Sequence, residues 1–362
     1  MARTVSDSPL AARALRVVQI LQSRLAERLA DAAVGQDENR SEPTFERVEW
    51  LRDAGLHGGG DRLETGGSRS PGSYDRASVN VSQVHYSDDP SRRLSSATAL
   101  STIVHPCVPA APSMHMHISW TEMRDESGYW RLMADLNPST PHGPDAERFR
   151  RALAEVRPEL ADAAFAQGDR YFAIPTLGRT RGVCHYYLEG YQTGDHEADA
   201  EFALEFGEAV IEVYGDILEE AFDEAASKEA ASREGTVEAQ LAYHTLYLYQ
   251  VLTLDRGTTA GVLVHDQNDV GIMGSLPSRV DPGLLASWAE RTPAPQDALV
   301  RRLVEILQPA EDGSAPVDEA AKRRFTAAMR EHYAAHPEGL SMQASGDIIP
   351  PTVENHRPGG AD

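Results

Sequence analysis

Apolar and polar residues alternate along much of the middle of the chain, which is the pattern of a strand with one buried face. The segments with this pattern are 78–86, 100–107, 113–120, 129–136, 170–176, 182–189, 246–254 and 258–265, with a weaker candidate at 271–276. Most links between neighbouring segments are short, which favours antiparallel pairing. The sequence therefore predicts a large antiparallel sheet.

Apolar residues that recur every three or four positions predict helices before, between and after these strands. The predicted helices cover 8–33, 43–53, 145–167 with a break at Pro158, 196–228, 283–291, 295–308 and 316–335. Residues 55–76, rich in Gly, Ser and Asp, are predicted to form a surface loop. We expect one α+β domain over residues 1–338, an antiparallel sheet flanked on both faces by helices, and a loosely ordered tail at 339–362.

Charge and composition exclude several classes of partner. The 362 residues include 34 Lys and Arg against 56 Asp and Glu, a formal charge of −22. This excess of acid argues against nucleic acid and against an anionic membrane surface as partners. No apolar run approaches the roughly 18 residues of a membrane span, and the amino-terminal residues lack the layout of a signal peptide. The sequence therefore predicts a cytoplasmic protein whose partner is a small molecule.

Known cofactor and disulfide motifs are missing from the sequence. The only two cysteines, Cys107 and Cys184, give neither a disulfide framework nor a CxxC motif. No GxGxxG follows a strand, and GxxxxGK[ST], HExxH and GxSxG do not occur. We therefore expect no nucleotide cofactor.

Two histidines, His115 and His117, stand two residues apart in a predicted strand. Because residues i and i+2 of a strand share a face, both imidazoles could bind one metal such as Fe or Cu. A neighbouring strand would supply a further ligand, and His105, His185 and Glu189 are the candidates. A satisfied pair in the core and a face that contacts substrate are the open alternatives.

The triplet Asp255-Arg256-Gly257 joins two apolar segments. Its structural interpretation is a hairpin turn that carries an internal ion pair. Its functional interpretation is a carboxylate held beside a fixed cation in a pocket, where the pKa could be set for handling a proton or an N–H group.

The order of several segments resembles the oxygen-dependent coproporphyrinogen III oxidase family. The similar segments are GGGDRLETGG before SVNVSQVHY, LSTIVHPCVPAAPSMHMHIS (the family's HPxNPxxPTxHxNxR), DLNP, YFAIPTLGRTRGVCHYYLEGY, LDRGTTAG and IMGSLP. Order and spacing agree over about residues 8–280. The resemblance implies a homodimer whose subunits are large antiparallel sheets flanked by helices. It also implies a cofactor-free oxidase that converts two propionates to vinyl groups with O₂.

The resemblance also implies roles for individual residues. His115 matches the family's proposed proton donor, and Asp255, beside Arg256, matches an aspartate thought to engage pyrrole N–H groups. His105 and His115 match histidines described as metal-binding or catalytic. Ser101 matches a substrate-contacting serine, and Arg181 and Arg256 match family arginines. We predict that Ser101, Ser119, Arg181 and Arg256 contact the substrate.

Departures from the family pattern point to a changed substrate. The NxR that follows the second family histidine becomes His117 and Ser119, so an arginine for propionate is missing there. A GGG segment becomes 131–133, Arg-Leu-Met, and its bulk should shrink the pocket. A second arginine is lost at 265–269, where two aspartates appear. Coproporphyrinogen has four carboxylates, and each buried carboxylate needs a cation.

Three hypotheses follow from this comparison. The first is an O₂-dependent enzyme that oxidises or oxidatively decarboxylates a smaller carboxylate, with Fe or Cu held by a cluster of four histidines. That cluster would comprise His105, His115, His117 and His185. The second is an authentic coproporphyrinogen III oxidase of haem biosynthesis. The third is a non-catalytic protein that binds a tetrapyrrole or a metal.

Overall fold

The computed structural model describes residues 2–35, 42–66, 72–125, 127–227, 233–344 and 352–356. Seven of the described strands form one antiparallel sheet in the order β1-β2-β3-β4-β5-β6-β9. Two ribbons, β7–β8 and β10–β11, consist of strands of two residues each. The strands are β1 (Glu46–Leu51), β2 (Gly58–Gly66), β3 (Tyr74–His85), β4 (Leu94–Pro106), β5 (Ser113–Met123), β6 (Gly128–Asn137), β7 (Ala173–Ile174), β8 (Arg179–Thr180), β9 (Cys184–Tyr191), β10 (Arg279–Val280) and β11 (Ala315–Pro316).

Helices cover both faces of the sheet, which confirms the predicted α+β architecture. Helices α1 to α4 lie on one face, and α5, α6 and α8 to α10 build a second apolar core on the other. No described helix is long and apolar enough to cross a membrane. The helices are α1 (Pro9–Val34), α2 (Gly143–Val156), α3 (Pro158–Tyr171), α4 (His196–Ala226), α5 (Val237–Thr253), α6 (Arg256–Val264), α7 (Asp269–Ile272), α8 (Pro282–Ala289), α9 (Gln296–Ile306), α10 (Glu319–Ala335) and α11 (Thr352–Asn355).

The pleat of the strands separates an apolar from a polar face. On β5, Met114 and Met116 are buried in the core that α1 and α4 cover, whereas His115 between them lines a cavity on the other face. On β3, Val79 and Asn80 divide in the same way. Because successive side chains of a strand point to opposite faces, the alternation in the sequence creates a polar floor on this side of the sheet.

Two predictions for the amino-terminal third are wrong. Residues 43–53, predicted as a helix, form strand β1 and the start of a 3₁₀ turn. Much of the predicted loop at 55–76 is strand β2, although residues 67–71 lie outside the described part. Gly60 shows why a strand can contain these glycines, although they suggest a loop. A Cβ at Gly60 would lie 2.7 Å from Trp50 Nε1. The glycines that suggest a loop allow Trp50 to lie against the neighbouring strand.

The strands predicted at 246–254 and 258–265 are wrong as well. The first forms about the second half of α5 and the second forms most of α6, and the weak candidate at 271–276 is helical or 3₁₀. The predicted strand at 170–176 shrinks to the two residues of β7. Every residue of α5 from Tyr243 to Thr253 is buried, so this helix lacks the polar face that gives a helical period. Asp255 is the N-cap of α6 and not part of a hairpin.

The predicted tail at 339–362 includes two described stretches that pack against the body. A 3₁₀ helix at Pro337–Met342 precedes Gln343, whose side chain donates to Thr259 Oγ1 at 2.5 Å. Helix α11 follows with Asn355 and His356, both buried. Both stretches therefore help to shape the region above the polar floor.

Candidate active site

A cavity of about 370 Å³ lies between the polar face of the sheet and the layer that contains α5 and α6. Strands β3 to β6 and β9 all contribute to its floor. Because neighbouring strands lie ~4.8 Å apart, this floor is roughly 19 Å wide. Its polar side chains include Asn80, Ser101, His115, His117, Ser119 and Arg131.

His115 on β5 is paired with Asp135, its direct cross-strand neighbour on β6. Its Nδ1 lies 2.7 Å from Asp135 Oδ1, and the Asp135 side chain is completely buried. Asp135 also accepts bonds from Arg181 Nη2 at 2.7 Å and from Asn137 Nδ2 at 2.6 Å. Burial opposes the charge of Asp135, but Arg181 and His115 outweigh this and hold its pKa well below the usual value. The ionised carboxylate fixes the proton on Nδ1 and leaves Nε2 without a bond to any described residue.

Arg181 contacts the His115–Asp135 pair through Asp135. It is 1% exposed, and its Nη1 donates to Gln250 Oε1 at 2.5 Å. Its guanidinium carbon lies 4.5 Å from the Phe172 ring centre and 5.0 Å from that of Tyr247. The sequence predicts that Arg181 contacts substrate, whereas these bonds commit it to protein groups around Asp135.

Ser101, His117 and Ser119 come together on the floor. Ser101 Oγ lies 2.8 Å from His117 Nδ1, and Ser119 Oγ lies 3.0 Å from His117 Nε2. Burial above all, and then the charges of Arg131 and His115, lower the pKa of His117 well below its usual value. His117 is therefore a neutral ring held between two hydroxyl groups.

His105 and His185 are placed elsewhere. His105 is fully buried, with Nδ1 2.9 Å from Ser113 Oγ and Nε2 3.2 Å from the Ser275 carbonyl oxygen. His185 Nδ1 lies 2.8 Å from Asp169 Oδ1, and its Nε2 bonds the Arg181 carbonyl. Among the described residues, no group of three or more His, Cys, Asp or Glu is placed to hold a metal ion. The four histidines therefore do not fit the predicted Fe or Cu centre.

Asp255 and Arg256 lie at the start of α6, on the roof of the cavity. Asp255 accepts from the Thr258 backbone N–H at 2.6 Å and from Tyr171 OH at 2.9 Å. Arg256 Nε donates to the Ala344 carbonyl at 3.0 Å. No described carboxylate lies within ion-pair distance of Arg256, so the ion pair expected within the triplet does not form. Arg256 is thus a cation that a bound anion can neutralise.

Arg131, Tyr187 and Glu189 form a cluster that sequence reasoning missed. Arg131 lies directly opposite Ser119 on the adjacent strand, and its Nε donates to Glu189 Oε2 at 2.6 Å. Tyr187 OH donates to the same carboxylate oxygen. The sequence suggested only that Arg131 fills space and that Glu189 could bind a metal. The pairing register, which would have revealed the cluster, becomes known only once the sheet is formed.

The carboxy-terminal stretch supplies a wall that the sequence also did not indicate. Residues 352–356 line the cavity, and His356 Nδ1 lies 2.9 Å from Tyr86 OH. Arg92 donates to the His356 carbonyl, and the His356 ring centre lies 5.2 Å from that of His265. Burial above all, and then Arg52 and Arg92, lower the pKa of His356 to about 3.

Comparisons with known proteins agree with this architecture. The sequence model of the family described as Coproporphyrinogen III oxidase matches residues 14–309. The mitochondrial oxygen-dependent coproporphyrinogen-III oxidase of Rattus norvegicus is 24% identical over 269 residues, covering 66% of this chain and 57% of that protein. The oxygen-dependent coproporphyrinogen-III oxidase of Rickettsia akari (strain Hartford) is 27% identical over 250 residues, 65% of this chain and 84% of that protein. A protein of the same name from Prochlorococcus marinus (strain MIT 9313) is 26% identical over 334 residues, 82% and 88% of the two chains.

The chain thus spans little more than half of the length of the rat protein but most of the two bacterial ones. The match to the family covers the whole seven-stranded sheet and helices α5 and α6, but not the lining residues 352–356. It confirms the resemblance that the segment order indicates. By this match, the chain belongs to the coproporphyrinogen III oxidase family.

Proposed function

We propose that this protein is an O₂-dependent oxidoreductase whose cavity binds a carboxylate substrate smaller than coproporphyrinogen. The charge balance of the cavity carries the proposal. Of the lining arginines among the described residues, Arg131 and Arg181 face Glu189 and Asp135, and Arg256 alone lacks a carboxylate. Since a buried carboxylate needs a cation, this charge pattern suits a substrate with about one carboxylate at Arg256.

His115 is the proton-transfer residue of the proposed reaction. Asp135 holds the ring through Nδ1, so Nε2 can donate a proton to the reacting group or accept one from it. The negative charge of Asp135 then stabilises the imidazolium form, as a buried aspartate does in other His–Asp pairs. Asp255, fixed by Tyr171 and the α6 N-terminus, faces the cavity as an acceptor for a substrate N–H.

Oxidative decarboxylation of a propionate arm balances with O₂ as the only oxidant. The carboxylate carbon leaves as CO₂, and the electron pair of the broken C–C bond forms the double bond. The ring-attached carbon of the arm loses one hydrogen together with two electrons, and both electrons pass to O₂. One further proton, which His115 can supply, completes H₂O₂, and the arm becomes a vinyl group. From the family resemblance we further propose a homodimer that acts in the cytoplasm.

Authentic coproporphyrinogen III oxidation is the second candidate. The names of the relatives favour it, because each named relative is an oxygen-dependent coproporphyrinogen-III oxidase. Ser101, His115, Asp255 and Arg256 all line the cavity, as that activity would also require. The two candidates differ in how many substrate carboxylates the cavity must neutralise.

A substrate comparison separates the two candidates. Purified protein is incubated under air with coproporphyrinogen III or with each member of a panel of pyrrole and indole propionates. O₂ uptake and the formation of H₂O₂ and CO₂ are measured. We expect turnover of a panel member with kcat/KM at least about tenfold above that of coproporphyrinogen, which is a 1.4 kcal/mol difference in transition-state binding. Higher kcat/KM with coproporphyrinogen would establish the second candidate. If neither coproporphyrinogen III nor any panel member gives O₂ uptake, this result would support a non-catalytic binding protein.

A further inference from the structure

At the end of the cavity whose floor is formed by β6 and β9, Arg131 and Glu189 form a buried ion pair. The Glu189 side chain has no exposed surface, and that of Arg131 is 17% exposed. Burial opposes the charge of Arg131, but Glu189 and Tyr187 outweigh this and raise its pKa above the usual value. Arg131 therefore keeps its positive charge, and the carboxylate of Glu189, 2.6 Å from Arg131 Nε, is the partner of that charge within the protein.

The two described donors that reach Glu189 both bond the same carboxylate oxygen. Arg131 Nε and Tyr187 OH both donate to Glu189 Oε2, whereas Glu189 Oε1 is buried without a described hydrogen-bond partner. Asp255 is close enough to add to the raised pKa of Tyr187, whose main cause is burial. The rings of Tyr187 and Tyr171, which donate to Glu189 and Asp255 respectively, have centres 4.7 Å apart. Two carboxylates thus lie at this end with the paired arginine, so this end offers acceptors and repels anions.

We propose that the Arg131–Glu189 pair is a specificity determinant, which admits an uncharged N–H or O–H group of the substrate and rejects a second carboxylate. The proposal rests on the proposed function only in that a carboxylate substrate occupies this cavity. Without Glu189, Arg131 would be a second free cation on the cavity floor. The acidic partner, not the arginine alone, therefore sets how many carboxylates the substrate carries.

Binding of two matched acids tests the pair without any turnover. The probes are 3-phenylpropanoate and 1,3-benzenedipropanoate, which share a ring and carry one or two propionate arms. Their dissociation constants are measured by calorimetry near neutral pH for the wild type, Glu189→Gln and the double variant Arg131→Gln/Glu189→Gln. Tyr187→Phe is the matched control, because it removes a donor to Glu189 but keeps the ion pair.

We expect Glu189→Gln to bind the diacid at least about tenfold tighter relative to the monoacid, the gain typical of one charge-assisted bond. The double variant and Tyr187→Phe should keep the wild-type ratio of the two dissociation constants, diacid to monoacid. An unchanged ratio in Glu189→Gln, or an equal gain in the double variant, would overturn the proposal, as would a failure of both probes to bind Glu189→Gln at millimolar concentration.

The wild type alone provides a test that needs no folded variant. If it already binds the diacid about tenfold tighter than the monoacid, the pair does not exclude a second carboxylate. Arg256→Gln separates this result from the proposed function. Loss of monoacid affinity in that variant tests the carboxylate site, whereas the diacid-to-monoacid ratio tests the Arg131–Glu189 pair.

Discussion

Replacing Asp135 with Asn should disable His115 while leaving the outline of the cavity intact. The two side chains have nearly the same size, and the site is fully buried between His115 Nδ1 and Arg181 Nη2, each 2.7 Å from a carboxylate oxygen. The amide carries no charge to hold the proton on Nδ1 or to stabilise an imidazolium. A positioned acid or base contributes about 10²–10⁴-fold, so we expect kcat to fall by that factor.

The same substitution should change stability with a defined pH dependence. Breaking a buried ion pair by neutralising one partner costs about 3–5 kcal/mol, because Arg181 keeps its charge without a counterion. The pKa of Asp135 is lowered in the folded state, so its stabilising contribution is present above its unfolded value of about 4 and is lost as the pH falls towards the folded value. The acid-induced loss of unfolding free energy should therefore be smaller in Asp135→Asn than in the wild type.

The assay combines kcat and kcat/KM across pH, urea unfolding, and nitrogen NMR of the His115 tautomer. Asp169→Asn is the matched control, because Asp169 also lies 2.8 Å from a histidine Nδ1, that of His185, but 61% of its side chain is exposed. We expect wild-type kcat in the control. The positioning role of Asp135 would be refuted if folded Asp135→Asn kept kcat within about threefold of the wild type and His115 kept its Nδ1-protonated form.

Three further predictions follow from other contacts. Arg256→Gln should weaken binding of 3-phenylpropanoate by roughly 10–100-fold, the value of a charge-assisted bond, and calorimetry that shows no change would contradict the assigned role. Because the pKa of His356 is lowered to about 3, docking of residues 352–356 should weaken as the pH falls through the undocked value of about 6.5. The protection factors of this segment in hydrogen exchange, which are corrected for the pH dependence of intrinsic exchange, should therefore fall between neutral and mildly acidic pH in the wild type but not in His356→Gln, and equal protection in both proteins would contradict this. Gly60→Ala should cost about 1–3 kcal/mol of unfolding free energy, because its Cβ would meet the Val81 carbonyl oxygen at 2.3 Å. Gly143→Ala, whose Cβ meets nothing within 4 Å, is the control and should leave the urea midpoint unchanged.

Strand predictions succeeded where one face of the strand is apolar and the other polar. Met114, His115 and Met116 show the reason, since the two-residue period records a core on one side and a cavity on the other. The same argument failed for α5, because a helix buried on all sides shows no period and its aromatic residues suggest a strand. Local pattern therefore predicted an element only where the environments of its faces differ.

The candidate site divides along a similar line. The sequence by itself determined the family, placed His115 and His117 on one face of a strand, and singled out Asp255 beside Arg256 as a candidate pocket residue. It could not determine partners, because each partner comes from another strand or helix and depends on register and packing.

Only the tertiary structure paired His115 with Asp135 and Arg131 with Glu189. The physical reason is that a side chain's charge state and availability depend on the groups within a few ångströms of it in space. Such groups are tens of residues away in the chain: 20 residues separate His115 from Asp135, and 58 separate Arg131 from Glu189. The sequence supplied the chemical groups, and folding decided which of them remain free to act on a substrate.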